Sequence, residues 1–286
     1  MSERDPYAGF TDEELPPLPT VFREGLFRDR VVLVSGGGGG IGRAVAMLFG
    51  RLGARVAACG RDPAKLASLE RLLGAQGIAC STHAMTIRDP AQVAALMDAV
   101  WERHDRLDVL INNAGGQFAS PSVDLAPKGW QAVIDTNLNG TWYMTQAAGQ
   151  RWIARGHPGA VVSIVIPVVR GNVGIPHTMA SRGGQIAMTR SLAVEWAPHG
   201  IRLNLVALGV IASPGLAKYP PTARPSFTHN PMRCLGDVQD VAEACAYLAA
   251  PSAKFITGAT LTIDGGQEMW GDFWALGRPA WFREEG

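Results

Sequence analysis

Eight residues in the first fifth of the chain have the composition of a phosphate-binding turn. The segment Ser35–Gly42 reads Ser-Gly-Gly-Gly-Gly-Gly-Ile-Gly, after a run of β-branched residues and before a helical pattern. Glycines let a backbone approach a pyrophosphate, and a helix that begins here offers free N–H groups and the positive end of its dipole. The pattern predicts a dinucleotide-binding site. The residues assigned to it are Ser35, Gly36, Gly40, Ile41 and Gly42.

The end of the second predicted strand bears on which dinucleotide would bind. Proteins that bind NAD usually place Asp or Glu there, on the ribose 2′-hydroxyl. This chain reads Ala57-Ala58-Cys59-Gly60-Arg61 and has no carboxylate before Asp62. A guanidinium can pair with a 2′-phosphate through charge-assisted hydrogen bonds, so Arg61 favours NADPH. The alternative is that Arg61 is a solvated turn residue.

Alternating strand and helix patterns must position these residues. Short β-branched runs predict strands, and longer runs with apolar residues on one face predict helices. The predicted strands span residues 31–35, 55–59, 107–112, 160–166, 202–207 and 260–263, and the predicted helices span 41–52, 63–73, 130–153 and 181–196. This alternation predicts an α/β fold with a doubly wound parallel sheet in a single domain. We expect an extended, proline-dotted arm over 1–25, the domain over 26–266 and an aromatic tail over 267–286.

Composition excludes several classes of function. The 286 residues are 47% hydrophobic with a formal net charge of +1, which predicts a sizeable core and no basic surface for nucleic acid or anionic membranes. The four cysteines form no C-x-x-C pair and no cluster with metal-ligand spacing, so we expect inert thiols and no metal site. No apolar run is long enough to span a bilayer, and no secretory signal is evident. A cytoplasmic location is expected.

Four ordered motifs resemble the short-chain dehydrogenase/reductase family. They are the glycine run with Ser35 in place of Thr, the segment Asn112-Asn113-Ala114-Gly115, Asn137, and Leu208-Gly209-Val210-Ile211-Ala212-Ser213. The resemblance covers about residues 26–266 and implies a seven-stranded Rossmann sheet that forms homodimers or homotetramers. It implies further roles for individual residues. Asn113, Ala114 and Gly115 would border the cofactor, and Asn137 would anchor a catalytic water chain. Gly209 would also bind the cofactor, the Ile211 backbone would contact the carboxamide, and Ser213 would contact the pyrophosphate.

The chain departs from that family at its catalytic motif. Thr178 and Arg182 stand where the family carries Tyr-x-x-x-Lys, and Val165 stands where the family carries serine. A threonine hydroxyl is far too weakly acidic to exchange a proton with an alkoxide, whereas Arg182 can bind ribose hydroxyls and supply fixed positive charge. Such a site favours stabilisation of an enolate oxygen, which is what conjugate reduction of an activated C=C bond requires.

A narrower resemblance points the same way. The stretches around Gln117 and Phe118 and around His177–Arg182 resemble the peroxisomal trans-2-enoyl-CoA reductases and bacterial relatives assigned to citronellol catabolism. The resemblance implies an NADPH-dependent reductase of a trans-2-enoyl-CoA or a related apolar α,β-unsaturated carbonyl. The alternatives are an alcohol dehydrogenase or ketoreductase acting on a terpenoid or steroid, and a cofactor-binding scaffold without activity.

The proton donor and the substrate contacts stay open at this point. His177, Tyr143, a water oriented by Thr178, and bulk water are all candidate proton sources. A substrate pocket is predicted from Gln117, Phe118, Val165 and Pro167, with Arg170 and Lys218 as candidate contacts for a coenzyme A moiety. The aromatic tail, with Trp270, Trp274 and Trp281, packs on a neighbouring subunit or covers an apolar substrate.

Overall fold

Seven parallel strands form one sheet in the computed structural model, which describes residues 5–219 and 221–271. Their spatial order is β3-β2-β1-β4-β5-β6-β7. The strands are β1 (Val31–Ser35), β2 (Arg55–Gly60), β3 (Cys80–Ala84), β4 (Val109–Asn112), β5 (Gly159–Val165), β6 (Ile201–Leu208) and β7 (Thr260–Ile263). The order reverses between β1 and β4, and ligands bind at the carboxyl ends of the strands at such a reversal.

Seven helices in the described part of the chain flank the sheet. They are α1 (Gly40–Arg51), α2 (Pro63–Ala75), α3 (Pro90–His104), α4 (Pro127–Ile134), α5 (Gly140–Arg155), α6 (Pro176–Trp196) and α7 (Val238–Ala249). None of these helices is long and apolar enough to cross a membrane. The α/β doubly wound fold predicted from the sequence is confirmed.

The sheet is buried on both faces, which explains the continuous apolar character of its central strands. Val32 and Val34 of β1 pack with α1, α2 and α7, while Val31 and Leu33 pack with α3, α5 and α6. Successive side chains of a strand point to opposite faces, so a strand covered on both faces is apolar throughout.

One strand and two helices had no sequence assignment. The strand is β3, whose sequence Cys-Ser-Thr-His-Ala is largely polar because it lies at the edge of the sheet and pairs only with β2. The helices are α3 and α7. Both begin at an aspartate whose carboxylate accepts backbone N–H groups of the first turn, an N-cap that the sequence displays.

The predicted long helix over 130–153 is interrupted. Helix α4 passes into a π-helical segment, Asp135–Asn139, before α5 begins. A π-helical turn widens the helix locally and shifts the direction of the side chains that follow, and such turns recur at functional sites. Asn137 lies inside this segment and is fully buried.

The N-terminal arm is not extended, which corrects the sequence-based expectation. Its described residues form turns that pack on the face of the sheet covered by α1 and α7, and Leu15 is only 4% exposed. Phe10, Leu18 and Phe22 also pack against this cluster. The arm folds back because its apolar side chains, spaced between the prolines, gain more from burial than the chain loses in freedom.

Two of the four cysteines lie in the core. Burial raises the pKa of the thiols of Cys59 and Cys245 to about 12, so neither forms a thiolate near neutral pH. Cys80 is half-buried, and its pKa is raised to about 12 by the same cause. These three thiols match the expectation of inert cysteines, whereas Cys234 is exposed.

We expect Leu15→Ala to lower the free energy of unfolding by about 2–5 kcal/mol, because it leaves a cavity between the arm and the core. Urea denaturation monitored by circular dichroism measures the change. Val21→Ala is the control, because Val21 belongs to the same arm and is 91% exposed; its effect should stay within about 0.5 kcal/mol. Equal small effects of the two substitutions would contradict the packing of the arm.

Candidate active site

Side chains and backbone groups join the carboxyl ends of β1 and β4. The Ser35 hydroxyl accepts hydrogen bonds from the backbone N–H groups of Asn113 and Ala114, both at 3.1 Å. The Asn113 side-chain amide donates to the carbonyl oxygens of Ser35 at 3.0 Å and Gly36 at 3.1 Å. Two predicted motifs far apart in sequence therefore form one unit at the reversal of strand order.

Helix α1 begins without a side-chain cap, unlike three other helices of the sheet. The carboxylates of Asp62, Asp89 and Asp237 cap α2, α3 and α7. Gly39 precedes α1 and offers no side chain to the first turn. The first N–H groups of a helix have no partner within the helix, so those of α1 remain available to an anionic ligand.

The glycine run is tightly packed on its inner side and open on its outer side. A Cβ atom on Gly42 would lie 2.3 Å from the carbonyl oxygen of Gly36, and Gly36 has φ +67°. A Cβ atom on Gly39 or Gly40 would meet no atom within 4 Å. The open side and the uncapped helix form a cradle that fits a cofactor pyrophosphate.

Arg61 lies at the end of β2 beside this cradle, as predicted. It is exposed, and within residues 5–219 and 221–271 it has no hydrogen-bond or ion-pair partner. Lys65, on the first turn of α2, is also largely exposed, and its ammonium lies 4.0 Å from the Asp62 carboxylate. The Lys65 side chain borders Gly38 of the glycine run. The end of β2 therefore presents uncompensated positive charge.

Arg182 is a buried cation with unused hydrogen-bond donors. It is 9% exposed, and its Nη1 donates to the Ile164 carbonyl at 2.9 Å and to the Gln185 side chain at 3.3 Å. Its Nε has no partner, and no carboxylate in the described part of the chain forms an ion pair with it. Burial lowers the pKa of Arg182 to about 10, so the guanidinium remains charged at neutral pH.

The π-helical segment fixes the backbone that follows the N-N-A-G motif. Asn137 accepts a hydrogen bond from the Gly116 N–H at 3.0 Å and donates to the Gly116 carbonyl at 3.1 Å. A Cβ atom on Gly115 would lie 2.5 Å from Nη2 of Arg182. Asn137, Gly115 and Arg182, assigned to one site from the sequence, are thus brought together by their contacts.

Thr178 and His177 lie about one helical turn before Arg182, at the beginning of α6. Thr178 is 1% exposed and His177 is fully buried. The His177 Nδ1 accepts the Thr178 N–H at 2.8 Å, and its Nε2 has no hydrogen-bond partner among the described residues. Because Thr178 and Arg182 are four residues apart on one helix, they share a face.

A cavity of about 370 Å³ opens at the carboxyl ends of β5 and β6. Gln117 and Pro167 line it as predicted, and so do Ile166 and Arg170. The aromatic tail contributes Trp270, which stacks on His229 at 5.2 Å between ring centroids. The predicted roles of Trp274 and Trp281 lie outside the described residues, as does the side chain of Lys218.

Two predicted substrate contacts lie elsewhere. Val165 is 1% exposed and packs with Leu205 and Ala207 in the core. The side chain of this last residue of β5 points to a covered face of the sheet rather than towards the cavity. The prediction that Val165 lines the pocket is therefore wrong for this cavity. Phe118 packs edge-on against His177 at 4.7 Å and is 43% exposed, so it covers the histidine beside the cavity.

Comparison with known proteins identifies the protein family. A family model described as enoyl-(acyl carrier protein) reductase matches residues 37–268. The chain is 35% identical to the peroxisomal 2,4-dienoyl-CoA reductase [(3E)-enoyl-CoA-producing] of Pongo abelii, covering 89% of each protein. The chain belongs to the short-chain dehydrogenase/reductase family. It is an oxidoreductase of that family, whose members use a nicotinamide cofactor.

Other members of the family differ in the chemistry that their names describe. The human (3R)-3-hydroxyacyl-CoA dehydrogenase is 36% identical over 85% of this chain and 97% of its own length. A solved structure of a citronellol catabolism dehydrogenase from Pseudomonas aeruginosa PAO1 is 33% identical, with a TM-score of 0.78 over 87% of this chain and 99% of that one. Both the family resemblance and the Rossmann-type fold expected from the sequence are confirmed.

The family motif after β6 contributes its first residues to the cavity wall. Gly209 packs against Asp264, where an added Cβ atom would lie 2.7 Å from its Cα, and Gly209 also lines the cavity. Ile211 is 6% exposed and forms an isolated parallel bridge with Gly236. Ser213 follows this bridge, half-buried and in extended conformation. The cofactor contacts assigned to these residues stay predictions.

The structure adds Tyr219 to the site, which the sequence analysis did not assign. The Gln117 side-chain amide donates a hydrogen bond to its phenol oxygen. Tyr219 lies six residues beyond Ser213, in a loop without a family motif. Nothing in its sequence surroundings indicates that this tyrosine, rather than Tyr143, approaches the cavity.

We expect Gly115→Ala to weaken binding of the reduced cofactor and to lower turnover, because the new methyl group would displace the Arg182 guanidinium. Fluorescence titration with NADPH measures the first effect. Gly74→Ala is the control, because Gly74 is exposed on α2 and an added Cβ atom meets nothing within 4 Å. Unchanged affinity and turnover in Gly115→Ala would show that the guanidinium position is unimportant.

Proposed function

We propose that this oxidoreductase uses NADPH to reduce the activated C=C bond of an apolar α,β-unsaturated thioester or carbonyl, with a trans-2-enoyl-CoA as the leading candidate. The observation that carries the proposal is Arg182, a buried cation with unused donors at the site where the family's proton-transfer residues are replaced. The proposal also draws on a relative named for 2,4-dienoyl-CoA reduction.

NADPH would be held by groups along one edge of the sheet. The cradle of Gly36, Gly40 and Gly42 suits the pyrophosphate, and Arg61 suits the 2′-phosphate because it is an exposed, unpartnered cation at the end of β2. Asn113 fixes the loop that borders the nicotinamide side. When bound, the nicotinamide supplies a hydride to the β-carbon of the substrate.

Negative charge then builds up on the carbonyl oxygen of the substrate. Arg182 can stabilise it, because a fixed cation in a site removed from water interacts strongly with a developing oxyanion and needs no reorganisation. Its Nη2 group, which donates no hydrogen bond within the described residues, is a donor for that oxygen or for the ribose hydroxyls of the cofactor. Asn137 acts through Gly116, since it holds the backbone beside the guanidinium.

The cavity has both polar and apolar lining, and the apolar part suits an acyl chain. Its wall includes Ile166, Pro167, Ile175 and Trp270, while Arg170 lies on it as an exposed cation suited to a phosphate of coenzyme A. Two of the relatives compared here are named for acyl-CoA thioesters. The homodimer or homotetramer and the cytoplasmic location expected from the sequence stay predictions.

We expect Arg61→Ala to raise the Kd of NADPH by roughly 10- to 100-fold, because a hydrogen bond between charged groups contributes about 1.5–3 kcal/mol. The Kd of NADH should not change. Parallel titrations with the two cofactors measure the difference, and Arg71→Ala, an exposed arginine of α2, is the matched control. Equal weakening of both cofactors would show that Arg61 does not read the 2′-phosphate.

The central test is NADPH consumption with trans-2-decenoyl-CoA. We expect Arg182→Ala to lower kcat by about 10²- to 10³-fold, since this is the typical cost of removing one oxyanion-stabilising donor. Arg182→Lys keeps the charge and loses the planar fork, so it should recover part of the activity. Arg190→Ala is the control, because Arg190 lies on the same helix and is exposed.

The alternative functions give different results in the same assay. Oxidation of a terpenoid or steroid alcohol with NADP⁺, without reduction of the enoyl-CoA, would establish the dehydrogenase alternative. The similarity to a citronellol catabolism dehydrogenase supports this alternative. NADPH binding without turnover of either substrate class would instead establish the scaffold.

A further inference from the structure

Tyr219 is the tyrosine whose phenol is hydrogen-bonded to a residue of the cavity wall. Gln117 lines the cavity, and its amide reaches the phenol oxygen of Tyr219. The other three tyrosines of the chain lie elsewhere. Tyr7 is in the arm, Tyr143 packs against the core cluster of α3 and α5, and Tyr247 is on α7 and 41% exposed.

Aromatic contacts fix the Tyr219 ring. Its centroid lies 5.6 Å from that of Phe227, with the rings nearly perpendicular. Phe227 is 7% exposed and also makes an edge contact with Tyr7 of the arm, at 5.9 Å. An edge-to-face pair of this geometry adds to the stabilisation from burial, so the half-buried ring has a defined position.

The direction of the hydrogen bond leaves the phenol proton available. An amide N–H can only donate, so the phenol oxygen of Tyr219 is the acceptor of the bond from Gln117. Among residues 5–219 and 221–271, no group accepts a hydrogen bond from the Tyr219 hydroxyl. The same amide N–H would stabilise a phenolate left after proton donation.

The hydrogen-bonded pair of Gln117 and Tyr219 is linked to the buried cation through a short backbone segment. Gly115 contacts Arg182, and Gln117 follows two residues later, a span of at most about 7 Å. The residue between them is Gly116, which Asn137 holds by two hydrogen bonds. Arg182 and the Gln117–Tyr219 pair therefore flank the same short, rigid segment.

We propose that Tyr219 is the proton donor of the reaction, supplying from another loop the acid that position 178 lacks. This inference rests on the proposed conjugate reduction. After hydride transfer to the β-carbon, the O–H bond of Tyr219 breaks and a C–H bond forms at the α-carbon. The enolate electrons enter that bond and the carbonyl re-forms. The phenolate then takes a proton from water, so one hydride and one proton are consumed per turnover.

The candidates named from the sequence are less well placed. His177 is fully buried, and in the described part of the chain its Nε2 has no hydrogen-bond partner. Phe118 covers the imidazole edge-on. Thr178 is 1% exposed, and Tyr143 faces the core cluster rather than the cavity. Tyr219 combines an available O–H with a direct hydrogen bond to Gln117, which lines the cavity.

The test uses the full chain with NADPH and trans-2-methyl-2-octenoyl-CoA, because protonation of this substrate creates a stereocentre at the α-carbon. We expect the wild-type protein to form one enantiomer. Tyr219→Phe should lower kcat by ~100-fold or more, the usual contribution of a general acid, while the Kd of NADPH is unchanged. Its residual product should be a mixture of enantiomers, because water then supplies the proton from either face.

Tyr247→Phe is the matched control and should keep both the rate and the single enantiomer. Chiral chromatography of the hydrolysed product measures the configuration. Tyr219→Phe with wild-type kcat would overturn the assignment, and so would a reduced kcat with the same single enantiomer, which would make Tyr219 a positioning residue. A wild-type protein that binds NADPH but reduces none of the enoyl-CoA substrates would instead remove the reaction itself, and this inference with it.

Discussion

The burial of one guanidinium that has no ion-pair partner among the described residues organises the candidate active site. Moving a charge out of water is costly, and the cost is usually offset by a carboxylate. Arg182 has instead a carbonyl oxygen of β5 and the Gln185 side chain, and its remaining donors are free. The protein satisfies only part of the hydrogen-bonding capacity of this cation. A ligand that brings hydroxyl oxygens or a developing oxyanion can therefore supply the missing hydrogen bonds.

The surroundings of that cation are rigid because several elements converge on it. The π-helical segment places Asn137 against Gly116, and the absence of a side chain on Gly115 leaves room for the guanidinium. On the other side of the strand-order reversal, Ser35 and Asn113 tie the glycine run to β4. The cofactor cradle and the cation are therefore two parts of one hydrogen-bonded framework. The arm packs on the same side of the sheet as α1 and α7.

The proposed function depends on Thr178 and Arg182, which stand where the family resemblance places a tyrosine and a lysine. A carbonyl reduction needs a proton delivered to an alkoxide, whereas conjugate reduction first needs charge stabilised on an oxygen and only then a proton on carbon. A permanent cation suits the first task of conjugate reduction. Under the proposal, the second task falls to Tyr219, whose phenol is hydrogen-bonded to Gln117 of the cavity wall.

The amino-acid sequence by itself determined the fold class, the bounds of β1 and β7, and the motif positions of Gly36, Asn113, Asn137 and Arg182, because strand alternation and glycine requirements are local properties. Only the tertiary structure decided the rest. It placed Val165 in the core, folded the arm onto the sheet, widened the helix at Asn137 and brought Tyr219 to Gln117. Each of these depends on which surfaces meet after the chain packs, and spacing along the chain carries no record of contacts between distant loops.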